Sequence, residues 1–123
     1  SVRSTMRRLL ERAGYAVREA ENGEEALARL AEDGTTAHGG AIALVLSDVV
    51  MPRMGAERLL EALRRDWAGL PVILMSGYSE TAVREAPRGR AHPFAGVPLL
   101  EKPVRPAELA ERIREALARP PAG

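Results

Sequence analysis

Residues Ile42 to Gly55 read IALVLSDVVMPRMG, and this stretch decides the fold. Ile42 to Leu46 form an unbroken apolar run that ends in Ser47 and Asp48. Met51-Pro52 then interrupts the pattern, and a helical period follows. So short an apolar run predicts a strand buried on both faces, as in a parallel sheet. In open α/β sheets ligands gather at the carboxyl edge of the strands, so Asp48 stands where chemistry is expected.

Two further runs end in the same way. Val72 to Met75 (VILM) leads to Ser76-Gly77, and Val97 to Leu100, with Pro98 inside it, leads to Glu101-Lys102-Pro103. The proline predicts an edge strand for the last. A shorter, loosely alternating segment, Tyr15 to Ala20, predicts an outer strand. Between these lie amphipathic patterns. Val2, Met6, Leu9, Leu10 and Ala13 share one helical face that Gly14 closes. Asn22 caps a second helix with Ala26, Leu27 and Leu30 inside, ending near Gly34. Ala56, Leu59, Leu60, Leu63 and Trp67 mark a third, with Trp67 as a core or edge anchor. Pro106 opens the last, with Leu109, Ile113 and Leu117 inside. Ser79 is a candidate cap for a short helix through Val83, and Pro87, Gly89, Pro93 and Gly96 limit its length. Strands alternating with helices predict a doubly wound α/β parallel sheet in one domain, 1–118, with 119–123 as a flexible tail.

Composition narrows the function. The chain of 123 residues has no cysteine, which removes disulfide frameworks and thiolate metal sites. A formal net charge of +1 and 3% aromatics argue against a nucleic-acid partner. No apolar run approaches membrane-spanning length, so no membrane contact is expected and the default location is cytoplasmic. His38, in the small polar loop 34–41, reads as solvated. Of eighteen basic residues only Lys102 is a lysine, which suits a position needing a compact charge on a flexible stem. In a parallel sheet Asp48, Ser76 and Lys102 would converge on one edge, a carboxylate, a hydroxyl and an ammonium around a small anion.

SDVVMPRMG, then LMSGY, then LLEKPV resembles the receiver domain of two-component response regulators, over Ser1 to about Leu117. The loops and the ending VPLLEKPVRPAELAERIREAL resemble most the C-terminal receiver of a hybrid sensor histidine kinase. The resemblance implies a flavodoxin-like fold with strand order 2-1-3-4-5. It implies that Asp48 accepts a phosphoryl group from a phosphohistidine on a histidine kinase or histidine phosphotransfer domain. Lys102 would neutralise the transferring oxygens, Ser76 would donate to the product, and Gly77 would leave room. Mg²⁺ would be held by Asp48, by the Val50 backbone carbonyl and by an acidic pair. Lys102-Pro103 would be cis. On this reading the chain is a phosphoacceptor that catalyses its own phosphorylation and dephosphorylation, not an enzyme acting on a separate substrate.

The family's acidic pair ends a first strand, and this chain starts within the following helix. The expectation is a longer polypeptide that carries that strand. Leu99 stands where the family usually has an aromatic, so an aromatic switch is not expected, and Ala56 replaces a usual glycine. Two alternatives stay open: a pseudo-receiver serving as a binding or homodimerisation module, and a haloacid-dehalogenase-type phosphohydrolase. The latter needs an Asp two residues after the nucleophile, where Val50 stands.

Overall fold

In the computed structural model the described residues are 2–35, 40–49, 55–77, 94 and 96–118. Their strands are β1 (Val45–Asp48), β2 (Val72–Ser76) and β3 (Leu99–Glu101). The helices are α1 (Val2–Arg12), α2 (Gly23–Glu32), α3 (Ala56–Asp66) and α4 (Pro106–Ala118). The strands form one parallel sheet in the order β1-β2-β3. The expected sites at His38, Val50, Met51-Pro52, Ser79 to Pro93 and the tail 119–123 lie outside the described residues.

Successive residues of a strand point to opposite faces, and β2 shows why both must be apolar. Ile73 and Met75 pack with Leu100 against Leu109, Ile113 and Ala116 of α4, joined by Met6 and Leu10 of α1. Leu74 turns the other way, toward Ala56 and Leu60 of α3 and the buried Phe94. Leu59 and Leu63 of α3 meet Leu30 of α2 on that same side. Helices therefore cover both faces. Burying each large aliphatic side chain contributes about 1.5–3 kcal/mol relative to exposure.

The helix ends follow their local chemistry. The Asn22 side chain accepts from the Glu25 N–H at 2.9 Å, satisfying an otherwise orphaned donor at the start of α2. After α1, Gly14 takes φ +97°, the left-handed conformation that glycine adopts without strain. Trp67 anchors the end of α3. Its Nε1 donates to the Thr35 carbonyl at 2.8 Å, while Thr35 Oγ1 accepts from the Ile42 N–H at 3.2 Å. Gly40 closes this loop, since a Cβ there would come within 2.6 Å of the Thr35 Cα.

Four expectations need correction. Tyr15 to Ala20 is not a strand: it makes no ladder, because no strand among the described residues lies beside it. Side chains hold it instead. Glu19 accepts from Arg7 of α1 at 2.8 Å, and Arg18 pairs with Asp33 at the end of α2 at 3.2 Å. The hydrogen bond to Glu19, with the charges of Glu11 and Glu19, raises the Arg7 pKa above its ordinary value. The central strand is Val45–Asp48 rather than a run starting at Ile42, because pairing begins only where the Val45 N–H meets the Pro71 carbonyl. Its apolar residues are only partly buried, since it lies at one edge of this sheet. The third apolar run forms its strand only over Leu99–Glu101, with the Pro98 carbonyl accepting from the Leu74 N–H at 2.9 Å just ahead of it. Leu117 is 41% exposed, and Ala116 occupies the inner position in its place.

These burials predict a contrast in urea unfolding. Leu74→Ala, at a fully buried position, should cost about 2–5 kcal/mol. Leu117→Ala should stay within about 0.5 kcal/mol of the parent.

Candidate functional site

Register brings the site residues together. Asp48 pairs with Met75 across β1 and β2, and Ser76 pairs with Glu101 across β2 and β3. Asp48, Ser76 and Lys102 therefore stand at the carboxyl ends of three adjacent parallel strands. The main chain continues the ladder beyond them: the Val49 N–H donates to the Met75 carbonyl at 2.9 Å, and the Lys102 N–H to the Ser76 carbonyl at 2.8 Å.

At this edge Lys102 Nζ lies 2.5 Å from Asp48 Oδ1. The side chains are 33% and 39% exposed, so the pair is open to water on one side. Oδ1 itself is buried and accepts no aligned hydrogen bond from the described residues. The carboxylate's exposure thus belongs to the rest of the side chain. Lys102 meets one oxygen and leaves the solvent side of the group approachable. Ser76 is buried and Lys102 half-buried. The Lys102-Pro103 peptide is cis, as the resemblance implied.

Ser47 was passed over in the sequence. It is the most buried residue of β1, and its hydroxyl donates to the Asp48 carbonyl at 2.9 Å. A polar residue at an inward strand position was the available signal. Gly77 has a different standing: a Cβ there would meet no described atom within 4 Å.

Among the described residues no group of three His, Cys, Asp or Glu side chains could hold a metal ion. Val50, the expected carbonyl donor, lies outside them. Mg²⁺ requires near-octahedral oxygen ligation, and Asp48 is one carboxylate already engaged by Lys102. The described donor set does not by itself fit the ion.

Residues 1–114 match the family described as the response regulator receiver domain. The chain belongs to that family. The receiver domain is 38% identical over 111 residues, 89% of this chain, to the sensor kinase CckA of Brucella abortus. It spans 11% of that kinase, and less than half of each other curated relative it matches. Among solved structures it is similar to the receiver domain of the hybrid histidine kinase CckA. That match has 37% identity and a TM-score of 0.71, covering 94% of this chain and 89% of the other. It is also similar to the response regulator TrrA of Thermotoga maritima in complex with Mg(2+)-BeF. Here identity is 25% and the TM-score 0.72, with 94% and 89% covered. These likenesses bear out the flavodoxin-like α/β fold expected of the receiver domain.

The half-open ion pair yields a stability prediction. Asp48→Asn should change unfolding free energy by less than about 1 kcal/mol, as for other solvent-accessible pairs. A larger loss in urea titration would mean that Asp48 holds the fold together.

Proposed function

We propose that this receiver domain is the phosphoacceptor of a two-component phosphorelay, with Asp48 as the residue that takes the phosphoryl group. The observation that carries the reading is the Asp48–Lys102 pair at the carboxyl edge, with Ser76 at the end of the strand between them. The O–P bond to Asp48 forms as the N–P bond to a donor imidazole breaks, and the electron pair returns to that ring. Such transfers need positioning and charge stabilisation more than further covalent chemistry. Lys102 supplies a fixed positive charge where charge gathers on the transferring oxygens. The Ser76 hydroxyl would donate to the phosphorylated product.

Likeness to the CckA receiver supports a histidine kinase or a histidine phosphotransfer domain as partner, and a place within a hybrid kinase polypeptide. A cytoplasmic location fits that role. Likeness to TrrA supports Mg²⁺ at this edge once further carboxylates join Asp48. With the residues described, Lys102 is the cation that meets the acceptor. No helix among the described residues is long and apolar enough to cross a membrane.

The test is phosphoryl transfer from a phosphorylated histidine phosphotransfer domain, followed by intact mass. A single phosphoryl adduct is expected, absent in Asp48→Ala. Lys102→Ala should slow transfer by about two orders of magnitude, the scale for losing one charge-stabilising group. An adduct that survives Asp48→Ala would move the acceptor elsewhere. No adduct from a competent donor would favour the binding-module reading.

A further inference from the structure

A cleft of about 280 Å³ opens at the amino edge of the sheet, opposite the edge that carries Asp48. It lies between the last turns of α3 and α4, over the start of β2 and the residues that lead into β3. Its walls are apolar, with Leu63 and Trp67 from α3 and its end, Val72 from β2, Val97 ahead of β3 and Ala116 from α4. The lining is charged at Arg64, Arg112 and Glu115. Arg112 and Glu115 pair at 3.5 Å within α4. Arg64 has no ion-pair partner among the described residues, so the lining carries two guanidiniums and one carboxylate.

We propose that this cleft binds a small amphipathic monoanion, an aliphatic or bicyclic carboxylate with its apolar body against Trp67 and its carboxylate between Arg64 and Arg112. Size and charge carry the assignment. An apolar cavity of about 150 Å³ holds one benzene, so this one, at nearly twice that volume, has room for an eight-carbon body and its head group. Ligand sites combine such apolar walls with a few convergent polar groups, and guanidinium is the side chain best suited to a carboxylate. The one-charge excess on the lining matches a single negative charge. A neutral or cationic amphiphile would forgo that match. The site is independent of phosphotransfer at Asp48.

Trp67 is the only tryptophan in the chain, so its emission reports on the cleft directly. Octanoate is titrated into the protein, with octanol and octylamine in parallel. Octanoate is expected to change Trp67 emission saturably and to raise the unfolding temperature, as any ligand selective for the folded state does. Octylamine should bind more weakly. Replacing both exposed arginines (Arg64→Gln with Arg112→Gln) should weaken octanoate by about three- to tenfold, the range for solvent-accessible charge contacts. Octanol should be unaffected. Absence of a saturable change with octanoate would overturn the proposal. So would equal binding of all three probes, or octanoate affinity unchanged in the double variant.

Discussion

The hydrogen-bond register of three parallel strands is the constraint on which the rest depends. Asp48, Ser76 and Lys102 are separated by long stretches of sequence, and no local interaction could bring them together. Val45 opposite Val72 and Leu74 opposite Leu99 fix where each strand ends. A parallel ladder aligns strand ends as well as strand middles, so three polar residues that each merely follow an apolar run become neighbours. Slippage by one residue would break this alignment and also turn Leu74 out of its cluster, because side chains alternate with period two.

Register is in turn held by the two covered faces. Ile73 and Met75 engage α4 and α1, while Leu74 engages α3. The tight packing of β2 on both sides contrasts with the partly buried β1 at the sheet's edge. The Asp48–Lys102 pair adds little to stability in its half-exposed setting, where Coulomb attraction is screened. Its role is to set charge at the edge, and the aliphatic layers set position. Trp67 and Thr35 join the turn after α2 to the end of α3, on the opposite edge from Asp48.

Legibility in the sequence differed by kind of interaction. Helix boundaries were readable where one residue decides them: Asn22 as a cap, Gly14 as a stop, Pro106 as an opener. The buried runs around Ile73 and Leu100 were readable from apolarity. The start of the run before Asp48 was not, since Ile42 to Leu44 are apolar but have no ladder partner in β2. Tyr15 to Ala20 looked like a strand from its alternation. A strand exists only through a neighbour, and here Glu19 and Arg18 tie the segment down by ion pairs instead. Leu117 fell on the expected helical face but at its margin, where the turn of α4 carries it outward and brings Ala116 in.

The chain's own residues determined the α/β class, the apolar strand cores, the helix caps and the identity of the three polar strand-end residues. These follow from side-chain chemistry and periodicity, which act over a few residues. Tertiary structure alone decided the pairing limits of the strands, the contact between Lys102 and the buried Oδ1 of Asp48, and the use of the Ser47 hydroxyl on the Asp48 carbonyl. It also decided the cleft beside Trp67. Those depend on which backbone groups find partners across the sheet and which helix ends face each other, and both are set by distant parts of the chain.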